Sequence, residues 1–324
     1  MQNGTITKST GSWYNVRLDE PSPAGDTELR CRVAGRFRLE DKALTNPIAV
    51  GDRVAVVIER TGDEETGAIR QIEDRKNYVV RQSPRKKHEL HLLASNIDQA
   101  VLIVTMVYPD VKLGFIDRFL LMTEPFDIPT TIVFNKADLL DEDSRLTYEA
   151  ISSIYRDIGY DVLLVSATDG TNIDAFQALL KDKRSLLSGQ SGVGKSTLVN
   201  AVAPDLDLRT GEISDYTGKG THTTTFAELF DLPFGGEIID PPGIKNLTFN
   251  YLRPIDIAHN YREIFALSAD CKFGGSCLHK NEPGCAVIAS VEAEDDQVTD
   301  IRYNSYLTLL AETEEQNYWE RKKV

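Results

Sequence analysis

Four cysteines, two tryptophans and three methionines in 324 residues leave little room for several protein classes. A disulfide-stapled scaffold needs a far higher cysteine density, so an ordinary apolar core must hold the chain, and 41% apolar residues can supply one. Long apolar runs are missing too. The longest, AVLIVTMV at 100–107, is far shorter than the roughly 20 residues a helix needs to span a bilayer. The opening MQNGTITKST has neither a charged n-region nor an apolar h-region, so the expectation is a cytoplasmic protein with no membrane partner. Positive charge is also scarce. A net charge of −14 argues against a nucleic-acid partner, because neutralising phosphates draws on Lys and Arg.

The deficit is uneven. Residues 1–90 hold 16 Lys/Arg against 14 Asp/Glu, or +2, which leaves 20 against 36, or −16, for residues 91–324. Within the first part, Arg30, Arg32, Arg36 and Arg38 recur at the even spacing of one strand face, and Arg81, Arg85, Lys86 and Lys87 follow in RQSPRKKHELH. A solvated face and a nucleic-acid contact are both compatible with that pattern.

Segment type changes at the same place. Up to about Glu73 the segments GTITKST, SWYNVRL, ELRCRVAG, GDRVAVVIER and GAIRQIE are short, β-branched and punctuated by Gly, Pro and Asp. Five such strands fit an oligonucleotide-binding (OB) barrel, and an SH3-like barrel would give much the same pattern. From Asn96 onward, apolar strands alternate with helical periodicity at 114–124, 144–157, 172–181 and 195–202. That alternation predicts an α/β fold with a parallel sheet and helices on both faces. The expected organisation is a barrel over 1–75, a linker over 76–95 around SPRKKHE, an α/β domain over 96–250 and a helical C-terminal domain over 251–324.

GQSGVGKST at 189–197 matches G-x-x-x-x-G-K-[ST] and sits between an apolar strand and a helix, the context a phosphate-binding P-loop requires. Gly189, Gln190, Ser191, Gly192, Val193 and Gly194 form the loop. Its glycines let successive amides point inward at phosphate, Lys195 reaches the β/γ oxygens, the Ser196 hydroxyl ligates Mg²⁺, and Thr197 completes the motif. Upstream, FNKADLL supplies Asn135, Lys136 and Asp138 as N-K-x-D directly after a buried strand. A carboxylate there accepts hydrogen bonds from the guanine N1–H and 2-amino groups, which adenine lacks. Ser166 and Ala167 in SATDG end the next strand and are expected to add backbone contacts to the base edge. Downstream come GKGTHTTT and GEIIDPPGIKN. Asp240 ends an apolar strand as a Walker-B carboxylate, and the Gly243 amide is placed for a γ-phosphate. Thr223, Thr224 or Thr225 can supply a second Mg²⁺ hydroxyl, with Thr224, the middle one, taken as the candidate; a threonine-rich strand would give the same run.

Ordinary small GTPases read P-loop, threonine switch, D-x-x-G, N-K-x-D, S-A. Here N-K-x-D and S-A come first, so the domain is circularly permuted, which is tolerated when the original termini lie close together. Beyond it, CKFGGSCLHKNEPGC gathers Cys271, Cys277, His279 and Cys285 within fifteen residues. Three thiolates and an imidazole suit tetrahedral Zn²⁺, and four protein ligands leave no open position, so the expected role is structural.

Taken together, the barrel, the permuted NKAD, GQSGVGKST, HTTT and DPPG motifs, and the Cys/Cys-x-His/Cys cluster resemble the bacterial ribosome small-subunit-dependent GTPase family, RsgA, over almost the whole chain. The resemblance implies an OB-type RNA-binding domain and GTP hydrolysis stimulated by the 30S subunit. It also implies a role in late 30S maturation, and a zinc domain that contacts 16S rRNA. GTP/GDP, Mg²⁺ and one structural Zn²⁺ are the expected cofactors, and a monomer the expected state.

The chain departs from the family pattern in three places. DPPG replaces D-T-P-G, Thr221 precedes the switch histidine where a basic residue is common, and five residues rather than four separate the first two cysteines. Ile244 occupies the position where Ras-like enzymes carry a water-orienting Gln, so unassisted turnover on the order of 10⁻⁴ to 10⁻² s⁻¹ is expected. The resemblance gives that role to His222, with Lys195 as the other catalytic residue. His88, His91 and His259 read as surface or packing residues. A nucleotide-gated rRNA-binding module with incidental hydrolysis is the alternative.

Overall fold

The computed structural model describes residues 1–34, 46–61, 64–82, 90–206, 227–241 and 251–321. Strands β1 (Gln2–Ser9), β2 (Tyr14–Leu18), β3 (Glu28–Val33), β4 (Arg53–Thr61) and β5 (Glu64–Ile72) close into a barrel of order β1-β2-β3-β5-β4, with β4 returning to β1. β3 meets β5 in parallel while the other pairs are antiparallel, which is a Greek-key closure of OB type rather than an SH3-like one. Alternate residues fill the interior, among them Val16, Leu29, Cys31, Val54, Val56 and Ile69. A Cβ on Gly67 would lie 2.3 Å from the Cys31 Sγ, so only glycine lets β5 approach β3 this closely. Arg30 and Arg32 do share the outer face of β3; Arg36, Arg38, Arg85, Lys86 and Lys87 lie outside the described residues.

Residues 76–95, expected as a linker, carry an antiparallel ribbon of β6 (Tyr78–Gln82) and β7 (Leu90–Ser95). The reason is local: the basic run is flanked by Val79, Val80, Leu92, Leu93 and Ala94, all buried, so its two arms pair to cover them.

The second half of the sheet is built from β8 (Gln99–Thr105), β9 (Thr130–Asn135), β10 (Asp161–Leu164), β11 (Arg184–Gly189), β12 (Glu228–Asp231) and β13 (Glu237–Asp240). Their order is β10-β9-β8-β11-β13-β12, parallel except for β12. Side chains alternate strictly between two cores. Leu102, Val104, Ile132, Phe134, Leu186 and Ile239 face one side, where α1 (Leu113–Thr123) and α2 (Glu142–Asp157) pack. Val101, Ile103, Val133, Leu187 and Ile238 face the other, against α3 (Ile173–Leu180) and α4 (Lys195–Val202).

The C-terminal elements α5 (Pro254–His259), α6 (Arg262–Leu267), α7 (Ala286–Ala293) and α8 (Asp300–Arg321) extend the α1/α2 core through Ile257, Tyr261, Ile264, Tyr306 and Leu310. A buried ion cluster locks them in place. Arg302 of α8 bonds Glu263 of α6 (2.7 Å) and Asp117 of α1, whose carboxylate also accepts the Tyr155 hydroxyl (2.9 Å). On the opposite flank the barrel joins the sheet by one β-rung, Lys8 to Glu228. Arg17 of β2 pairs there with Asp231 and Glu237, and Arg184 with Glu237 at 2.6 Å. Among the described residues no helix is long and apolar enough to cross a membrane.

Candidate nucleotide site and metal centre

The motifs converge at the C-terminal ends of the parallel strands. β11 runs into the loop Gly189–Gly194, and α4 starts at Lys195, so the amides of the first turn have no partner within the helix and face the loop. Gly192 has a φ of +86°, and two further glycines allow close approaches. At Gly189 a Cβ would sit 2.5 Å from the Ile103 carbonyl, and at Gly194, with φ at +83°, it would sit 2.6 Å from Asn135 Nδ2. Buried Val193 pins the loop into the α3/α4 core, while Ser191 and Gly192 form an exposed lip and Gln190 is half-buried. Ser196 is buried just inside the helix and Thr197 faces out.

Lys195 extends to the carboxylate of Asp240 at the end of β13 and forms an ion pair with it. Burial pushes the Asp240 carboxyl above its ordinary value, and the Lys195 ammonium only partly offsets this. An ammonium, a buried hydroxyl and a carboxylate therefore meet at one helix start, a donor set suited to phosphate oxygens with a hard cation.

The base-side motif touches the P-loop directly. Asn135 Nδ2 donates to the Val193 carbonyl at 2.8 Å, and the buried Asn135 Oδ1 meets no donor among the described residues. Lys136, at φ +67°, brings its Cε to 3.9 Å from where a Cβ on Gly194 would be and donates from Nζ to the Tyr108 carbonyl. Asp138 is exposed on the turn after β9. Its carboxylate accepts the Ser166 hydroxyl at 2.5 Å, and the Ser166 oxygen in turn accepts the Thr168 and Asp169 amides at 3.1 and 3.2 Å. Ser166 is therefore more than a source of backbone contacts; it aims the carboxylate. Sequence spacing carries no signal for this, because Asp138 lies 28 residues before Ser166. Ala167 follows, half-buried. Lys219, Thr221, His222, Thr223, Thr224, Thr225, Gly243 and Ile244 lie outside the described residues.

The cysteine cluster is a second, separate site. Cys271, Cys277, His279 and Cys285 are all buried, and one ligand atom from each lies within 4.8 Å of all the others. Cys271 Sγ is 3.9 Å from Cys285 Sγ, and His279 Nδ1 is 3.3 and 3.6 Å from the Cys285 and Cys271 sulfurs. A regular tetrahedron with Zn–S near 2.3 Å has edges of about 3.8 Å, so these groups fit one zinc ion. Tyr303 and Tyr306 of α8 brace the loop by donating to the His279 and Leu278 carbonyls, each at 2.6 Å.

Comparison with known proteins agrees with this geometry. Residues 3–69 match the RsgA N-terminal domain and residues 72–250 the RsgA GTPase. A Bacteroides thetaiotaomicron protein named small ribosomal subunit biogenesis GTPase RsgA 2 is 45% identical, over 97% of this chain and 98% of its own. A Flavobacterium johnsoniae protein named small ribosomal subunit biogenesis GTPase RsgA is 45% identical over 97% and 94%. Among solved structures, YjeQ from Thermotoga maritima aligns with a TM-score of 0.73 at 31% identity, covering 96% of this chain and 98% of that one. YloQ, described as a circularly permuted GTPase, gives 0.70 at 32% identity, covering 98% and 96%. Family match, full-length identity and permuted loop order agree: the chain belongs to the RsgA GTPase family.

Proposed function

We propose that this protein hydrolyses GTP to GDP and phosphate when stimulated by the small (30S) ribosomal subunit, and that it acts in late maturation of that subunit as a cytoplasmic monomer. The observation that carries the reading is the Asn135–Val193 hydrogen bond, which ties the N-K-x-D loop to the phosphate loop. The names of the full-length relatives support the ribosomal partner.

In this reading Asn135, Lys136, Asp138, Ser166 and Ala167 hold the base, and the loop Gly189–Gly194 with Lys195, Ser196 and Thr197 holds the phosphates. Ser196, Thr224 and Asp240 hold Mg²⁺, which supplies charge neutralisation on the phosphates. Gly243 contacts the γ-phosphate, Lys195 stabilises charge there and His222 orients the water. Cys271, Cys277, His279 and Cys285 hold one structural Zn²⁺. The barrel and the zinc domain contact 16S rRNA.

The test is GTP hydrolysis with and without purified 30S subunits, with ATP and Lys195→Ala as controls. A GTP-specific stimulation of about 10² or more is expected, within the range of partner-supplied activation. His222→Ala is expected to abolish the stimulated rate while keeping GTP affinity within about threefold. A flat rate alongside tight GTP binding would turn the reading toward a nucleotide-gated RNA-binding module.

A further inference from the structure

The loop between β8 and α1 belongs to none of the recognised nucleotide motifs, yet it abuts two of them. Tyr108 in that loop has a φ of +52°, and its side chain is among the most exposed apolar groups described, at 79%. A positive φ is unfavourable for a bulky residue, and an exposed ring recovers nothing by burial. What the conformation provides is a direction for the carbonyl, which accepts the Lys136 ammonium. The loop is fixed on both sides. Thr105 Oγ1 donates to the Pro109 carbonyl at 2.7 Å, and Pro109 Cδ lies 3.6 Å from where a Cβ on Gly192 would be, so it leans on the P-loop lip.

We propose that Tyr108 is a positioning residue for nucleotide binding: its positive-φ backbone aims a carbonyl that holds the end of the Lys136 stem beside Gly194 before the guanine base arrives. The inference rests on the nucleotide-site reading above. A lysine stem has four flexible carbons, and fixing it costs rotamer freedom that otherwise falls on binding. With its ammonium held on Tyr108, the end of the stem already sits beside Gly194, where it can wall the base. The effect belongs to the base end of the ligand, so it is the same whether the nucleotide carries two phosphates or three.

The experiment is equilibrium titration of the full chain with fluorescent GDP and GTP, with thermal unfolding recorded for each variant. Tyr108→Val puts a β-branched side chain at a positive φ and is expected to weaken GDP and GTP equally, by about tenfold. Tyr108→Asn tolerates that φ and is expected to restore affinity to within about twofold of the unaltered protein. In a Lys136→Met background, Tyr108→Val is expected to add less than about twofold, because the carbonyl has no ammonium left to hold. Unchanged affinity in Tyr108→Val, loss in Tyr108→Asn as large as in Tyr108→Val, or a full additional loss in the Lys136→Met background would each overturn the proposal. If the unaltered protein bound no guanine nucleotide, the reading of the site would fall, and the proposal with it.

Discussion

At the scale of single residues, the proposed base-reading end depends on one hydroxyl. Ser166 accepts two amides and spends its proton on Asp138, so the carboxylate is oriented before a base meets it. Ser166→Ala keeps the loop backbone but leaves Asp138 free to turn. GTP affinity is expected to fall about fivefold to tenfold, less than the full worth of one charged hydrogen bond because water can take the hydroxyl's place on the exposed carboxylate, while ATP stays excluded; competitive nucleotide titration checks this. Residues whose role depends on neighbours in sequence were legible without a structure: the P-loop, N-K-A-D and the Cys₃His set are each defined by local spacing. Ser166 and Tyr108 act on partners 28 residues away, at Asp138 and Lys136, and spacing carries no record of which strand ends meet.

At the scale of elements, the helix and strand pattern of the second half was readable because its central strands β8, β9 and β11 are bounded by turns and buried on both faces. Elements that work through charge were not. Arg302 lies on the same α8 stripe as Tyr306, Leu309 and Thr313, all buried, so its position marked it as internal even though its chemistry suggested a surface. Its partner Asp117 is 185 residues away. The barrel junction is the other charged seam, and it carries a pH dependence. Burial pushes the Glu237 carboxyl up, but Arg184 and Arg17 outweigh it and hold the group below its ordinary value. A carboxyl lowered by folding contributes stability above its unfolded value of about 4.3, and that contribution is lost as pH falls through the lower folded value. Stability is therefore expected to drop below about pH 4, and Glu237→Gln is expected to flatten that part of the profile. Denaturant melts between pH 3 and 7 distinguish the two chains.

At the scale of the whole molecule, the three parts do not stand alone. The cluster cysteines share one continuous core with α1, α2 and the barrel interior. Removing the metal should therefore be felt beyond the C-terminal domain. One zinc per chain is expected by elemental analysis, and chelation or Cys277→Ala is expected to lower the melting temperature by more than about 10 °C. A melt unchanged by chelation would show that the cluster holds its shape through packing alone.

The position of β11 in the sheet has a consequence for how the chain is made. It lies at the middle of the second half of the sheet, between β8 and β13, yet follows β8, β9 and β10 in sequence. On a translating ribosome the guanine-reading half emerges first, and β8, buried along its whole length in the finished protein, waits with an open edge for residues 184–189. β13 and β12 follow, and Glu228 finally reaches Lys8, in a strand made some 220 residues earlier. The phosphate loop, Asp240 and the seam to the barrel thus come into being late and close together, so a nascent chain can present a guanine-reading surface before it has any means of gripping a phosphate.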